Sequence, residues 1–164
     1  MIPLWFLVVM QFVLSAAIVL STQLSSHWML TLAAAAPGIA LAVWSWLTMG
    51  LRNIRVHTDL DRDARLVTAG PYRWVRHPMY VGLLLSTAAL LPAPWAWWRV
   101  AAWLTLVAVL LRKAAAEESQ LRTRFSTYAN YQRYVGGFLP RTFRGLSAST
   151  LEGKLAGKGD DAAD

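Results

Sequence analysis

Trp28 to Leu51 reads WMLTLAAAAPGIALAVWSWLTMGL and contains no Asp, Glu, Lys or Arg. As a helix, these roughly 24 residues rise about 36 Å, enough to cross a hydrocarbon core of about 30 Å. Pro37-Gly38 falls inside the run, so a kink is expected there. The same character extends toward the N-terminus. Leu4 to Leu20 is a near-continuous apolar run, and no charged side chain occurs between Met1 and Leu51. Toward the C-terminus lie Met79 to Leu91 and then Trp95 to Leu111, the latter with one charge, Arg99, near its start. Pro92-Ala93-Pro94 between them is a helix breaker and a tight turn. Met79 to Leu91 gives only about 20 Å of helix, short for a span unless the bilayer thins or the helix begins earlier. A hairpin of the last two runs is favoured over a re-entrant pair.

The whole chain has the composition of these runs. It has 164 residues, enough for one domain and not comfortably two. Hydrophobic residues make up 56% and charged ones 15%, against a usual charged share of about 25%. There are nine Trp and no Cys. Disordered chains, coiled coils and disulfide scaffolds are excluded. The expected fold is all-α: an integral membrane helical bundle of about four transmembrane helices, with a cofactor site on its cytosolic face. Residues 1–51 would supply two N-terminal spans and residues 52–141 a core with a helical hairpin and cytosolic segments. Residues 142–164, rich in Ser, Gly, Ala and Asp, read as a mobile tail. A signal peptide is the weaker reading of Leu4 to Leu20, whose N-terminal flank carries no positive charge.

Charge then sets orientation. Ser21 to His27 and Pro92 to Trp98 carry no Lys or Arg. Arg52 to Arg76 carries six Arg, and the segment after Leu111 carries Arg112, Lys113, Arg122, Arg124, Arg133, Arg141 and Arg144. Positive-inside bias puts both basic segments in the cytosol, with four spans and both termini inside. The net charge of +7 is therefore read as an orientation signal, and the expected partner is the lipid bilayer, not nucleic acid. Trp28, Trp95, Trp97 and Trp98 would form an aromatic belt on the far side, to which Arg99 would snorkel.

The two basic segments are also where chemistry can sit. Thr68 to Tyr80 reads TAGPYRWVRHPMY. Gly70-Pro71 is a turn, and Pro78 suits the first position of a helix. That helix would open with free N–H groups at Met79 and Tyr80 beside Arg76 and His77, an arrangement suited to a carboxylate or phosphate. Tyr72, Trp74 and Tyr80 offer faces to an adenine or a sulfonium. The plainer alternative is that Arg73, Arg76 and His77 only mark the membrane border.

Arg112 to Arg122 reads RKAAAEESQLR, which lets the fourth helix continue past Leu111. Lys113 and Glu117 are one turn apart on one face, and Glu118 and Arg122 on the next. Ordinary ion pairing, about 0.2–0.5 kcal/mol each, is the competing account. Counting back one turn from apolar Leu121 turns Glu117 inward. Tyr128, Tyr131, Tyr134 and Phe138 recur at helical spacing, more often packing than a cofactor box. His27 and His57 stand alone, so no metal site is expected. No G-x-G-x-x-G follows a strand, which excludes a Rossmann domain.

Gly70-Pro71-Tyr72, Arg76-His77-Pro78-Met79-Tyr80-Val81-Gly82, an apolar hairpin, then Glu117-Glu118 with Leu121, Phe125, Tyr128, Tyr131 and Pro140 resemble the isoprenylcysteine carboxyl methyltransferase family. The wider group includes the membrane phospholipid N-methyltransferases. The likeness covers about residues 60 to 140. It implies methyl transfer from S-adenosyl-L-methionine to a small or lipid-borne acceptor at the cytosolic membrane face. It implies a cofactor held by Leu66, Val67, Tyr72, His77, Pro78, Met79, Tyr80 and Glu117. It also implies a substrate-facing basic residue one turn before that Glu, usually Arg. Here it is Lys113, which lacks the planar fork of Arg; Arg76 is the second acceptor-binding candidate. Gly136-Gly137 stands where the family often has Pro-Arg. Glu117 or His77 could take a proton from an amine or thiol acceptor, and no catalytic base is assigned. A phospholipid N-methyltransferase, an NADPH-dependent sterol-type membrane reductase and a non-catalytic membrane accessory protein are the competing functions.

Overall fold

The computed structural model describes residues 3–23, 28–53 and 66–141, with side chains described as far as Gly50 in the second segment. His27, His57, the arginines from Arg55 to Arg65 and the tail from residue 142 lie outside the described residues. Among the described residues the protein is helical and has no strand. The helices are α1 (Leu4–Leu20), α2 (Trp28–Asn53), α3 (Pro78–Leu90), α4 (Trp97–Arg124) and α5 (Tyr128–Tyr134). A 3-10 turn, Gly70–Arg73, precedes α3. Contacts divide the chain into two compact units: Met1–Ala42 with Met79–Gln120, and Val43–Pro78 with Leu121–Asp164.

Trp28–Gly50 is, among the described residues, the helix both long and apolar enough to cross a membrane, with 23 residues and a mean hydropathy of 1.6. Leu4–Leu20 and Pro78–Leu90 are shorter apolar helices. Pro37 lies inside α2, and the interior residue with non-helical dihedrals is Gly50, at φ 69° and ψ 156°. Only glycine takes such a conformation readily, so the regular helix ends there although its apolar run began at Trp28. The fourth helix does continue past Leu111, to Arg124. Residues between Leu90 and Trp97 make the expected turn.

In the first unit, α2 and α3 approach through small residues. A Cβ on Gly82 would lie 2.6 Å from the Gly38 oxygen and 2.7 Å from the Ala42 nitrogen. A Cβ on Gly38 would lie 2.5 Å from the Ser86 nitrogen. The neighbours are backbone atoms, which cannot rotate away. Gly38-x-x-x-Ala42 against Gly82-x-x-x-Ser86 is the small-residue packing that lets apolar helices meet without a hydrophobic driving force between them. The Trp103 indole N–H donates to the Leu84 carbonyl at 3.1 Å and ties α4 to α3.

Arg99 does not snorkel. It is fully buried. Nη1 donates to the carbonyl and hydroxyl of Ser21 at 2.8 and 2.9 Å. Nη2 donates to the Leu90 carbonyl at 2.6 Å and the Thr22 hydroxyl at 3.1 Å. The last carbonyls of a helix have no partner within it, and one planar fork here serves residues at the ends of α1 and α3. Satisfying those acceptors outweighs the reach to water that a free arginine would prefer.

The second unit is held by tyrosines. Tyr128, Tyr131 and Val135 form its buried core, with Leu66, Leu121, Phe125 and Tyr134 packed against it. The Tyr131 hydroxyl donates to the Tyr72 carbonyl at 2.5 Å, pinning the 3-10 turn to α5. After α5 the chain doubles back, and Val75 and Gly136 form an isolated parallel bridge. A Cβ on Gly136 would fall 1.8 Å from the Leu139 oxygen, so this turn accepts glycine alone.

Candidate functional site

In the first unit, Tyr80 stands in the opening turn of α3 and Glu117 on the extended part of α4. Pro78 starts α3 where its missing N–H and fixed φ cost nothing. The Tyr80 hydroxyl donates to Glu117 Oε1 at 2.5 Å, and both side chains are half-buried. Two motifs 37 positions apart in the sequence are thereby joined by a charge-assisted hydrogen bond. A carboxylate holds about four lone-pair positions, of which the tyrosine takes one.

Lys113, one turn before Glu117, does not pair with it as an ordinary helix ion pair. Its Nζ donates to Gln11 Oε1 of α1 at 3.0 Å and lies 5.0 Å from the centroid of the Tyr80 ring. Gln11 was missed by sequence reasoning. The available signal was a lone amide in the apolar run Leu4 to Leu20; polar groups in such runs mark function more often than chance.

The second unit holds the residues before Pro78. His77 is buried, its backbone N–H bound to the Gly137 carbonyl at 3.2 Å and its ring 5.7 Å from that of Phe138. Arg76 donates from Nη1 to the Gln132 and Val135 carbonyls at 3.3 and 2.5 Å. Its backbone N–H meets Gly136 O at 2.8 Å. The guanidinium thus caps the carboxyl end of α5, which gives it structural employment at the border. Tyr72 is buried. Leu66 packs on the tyrosine core, Val67 is half-buried, and Phe138 lies beyond α5 against His77. Met79 is half-buried and Pro78 buried. Arg122 donates from Nε to Gln132 Oε1 at 2.7 Å.

Residues 26–128 match the family model for phospholipid methyltransferase, which is more than half of the chain. The chain belongs to the phospholipid methyltransferase family. This is the wider group to which the motifs at Gly70 to Gly82 and at Glu117 pointed. Members of the phospholipid methyltransferase family are membrane-associated, and membership implies a membrane methyltransferase. The chain is also 31% identical over 150 residues to the cobalt-zinc-cadmium resistance protein CzcN of Cupriavidus metallidurans, covering 88% of this chain and 67% of that protein. No solved structure matches. The family match takes in α2, α3, α4 and the Tyr80–Glu117 pair, and leaves α1 with Gln11 outside.

Proposed function

We propose that the protein is a multi-pass membrane methyltransferase that uses S-adenosyl-L-methionine on the cytosolic face and methylates a small or lipid-borne acceptor. The observation that carries this is the Tyr80–Glu117 hydrogen bond at 2.5 Å. It makes one half-buried acceptor group out of the two motifs, at the N-terminal end of α3, whose first backbone N–H groups have no acceptor within the helix itself. The residues fit the cofactor's chemistry. A carboxylate accepts from ribose hydroxyls or an ammonium more strongly than an amide does. The tyrosine holds the carboxylate by Oε1. Met79 adjoins Tyr80 in the same unit and is a proposed further contact; Leu66, Val67, Tyr72, His77 and Pro78 are proposed on the family resemblance of their motif alone.

S-adenosyl-L-methionine supplies a methyl group on a sulfonium sulfur, which becomes a neutral thioether when the methyl leaves. The chain's part is alignment, since in-line displacement depends on holding donor and nucleophile in register. A carboxylate acceptor is already ionised at pH 7 and needs no base, whereas an amine or thiol must lose a proton. The membrane setting is supported by α2 and by outward-facing apolar side chains such as Trp5, Phe12, Leu20, Leu30 and Trp97. A surface of that kind is stable in lipid and not in water.

The test is methyl transfer by the purified protein in detergent, given methyl-labelled S-adenosyl-L-methionine and total membrane lipid. Label passing into the organic phase is expected. Binding of NADPH in place of S-adenosyl-L-methionine would favour the reductase, and binding of neither would leave an accessory protein.

A further inference from the structure

The methyl-transfer reading gives α1 no part, and α1 lies outside the residues that match the family. Yet α1 places one amide, Gln11, in the middle of an apolar helix, LWFLVVMQFVLSAAIVL. An amide there is costly unless it finds a polar partner. Its partner is Lys113, whose Nζ donates to Gln11 Oε1 at 3.0 Å. On the other side the ammonium faces the Tyr80 ring, 5.0 Å from its centroid. The Tyr80 hydroxyl in turn is spent on Glu117. Among the described residues Lys113 makes no ion pair. A neutral amide and a ring face therefore orient this cation without cancelling its charge. An ammonium has three donors and Gln11 takes one. Phe12 and Leu111, neighbours in sequence to the pair, are exposed and apolar.

We infer that Gln11 is a positioning residue that holds Lys113 as an uncancelled cation for the anionic group of an apolar-tailed acceptor, a carboxylate or a phosphate. The acceptor, and the place of Lys113 beside it, rest on the function proposed above; the hold of Gln11 on Lys113 does not. The choice of amide is the informative feature. Glutamate at the same position would keep the shape and strengthen the hydrogen bond, but would neutralise the charge that the acceptor must meet. A merely structural contact would gain from that change, and a charge-presenting contact would be lost.

The experiment reads Lys113 directly, as the rate of its acylation by an amine-reactive reagent, followed by mass spectrometry of the full chain in uncharged detergent. Three probes share one tail: oleate, oleyl phosphate and oleyl alcohol. In the wild type, oleate or oleyl phosphate is expected to slow acylation of Lys113 at least tenfold, and oleyl alcohol to leave it unchanged. Whichever anion protects better identifies carboxylate or phosphate as the group taken. Gln11→Glu is expected to abolish the protection while its thermal midpoint stays equal or rises. Gln11→Leu is expected to weaken the protection by loosening the lysine. No protection by either anion in the wild type would overturn the inference. So would full protection in Gln11→Glu with loss only in Gln11→Leu, the pattern of a structural contact. Binding of S-adenosyl-L-methionine is measured on the same samples; its failure with protection intact would strike the proposed function and leave the anion site standing.

Discussion

Glu117 and Glu118 are adjacent carboxylates with different surroundings. Glu117 accepts from Tyr80. Arg122, the expected partner of Glu118, turns its Nε to Gln132. Glu118 has interactions of its own, and Glu118→Gln is expected to cost about 0–1 kcal/mol of stability, the range of a surface ion pair, with cofactor affinity kept. Tyr80→Phe keeps the ring beside Lys113 and removes only the donor to Glu117. It should weaken S-adenosyl-L-methionine binding by about 1–3 kcal/mol, or roughly 5- to 150-fold, measured by calorimetry. An unchanged affinity would return Tyr80 to packing. The inward turn of Glu117 was legible because Leu121 one turn on is apolar, and periodicity reports faces. The partner of Lys113 was not legible, because it comes from 102 positions away and periodicity says nothing of which helix a face will meet. Arg99 failed in the same way: its reach to water was judged from its own helix, while its acceptors lie near the ends of two others.

At the scale of elements, apolar length and breaker residues located all four long helices, and the run RKAAAEESQLR gave the extension of α4. They did not mark the break at Gly50 in α2. Proline is tolerated in a long apolar helix whose neighbours satisfy the freed backbone, whereas Gly50 takes a positive φ at the helix end. The α2–α3 contact gives a sharp stability test. Gly82→Val forces a side chain against the backbone of Gly38 and Ala42, and should destabilise the detergent-solubilised protein by about 1–3 kcal/mol or more, the range for overpacking. Arg99→Met strips the donors from Ser21, Thr22 and Leu90, and should cost on the order of 3 kcal/mol. Both would appear as a lowered thermal midpoint. An unaltered midpoint in Gly82→Val would mean that the two helices stand farther apart than the structure has them.

For the whole molecule, the proposed orientation rests on the basic segments and on the turns without Lys or Arg. Reporter fusions at Arg55 and after Arg144 should both read cytosol, as the proposed four spans require. A signal from the opposite side at either position would contradict the proposed topology. The candidate site was legible as two motifs and a family likeness, since both motifs are local; their joining through one hydrogen bond was not, because it depends on how α3 and α4 pack. The central claim is that this joined pair anchors S-adenosyl-L-methionine. Its most direct test is the affinity of the purified protein for S-adenosyl-L-methionine before and after Glu117→Gln. A charge-assisted hydrogen bond is worth about 1.5–3 kcal/mol, so the account predicts binding by the wild type and a loss of about 10- to 150-fold in the variant at unchanged thermal midpoint. Equal affinity in the two proteins, or no binding by the wild type, would contradict it.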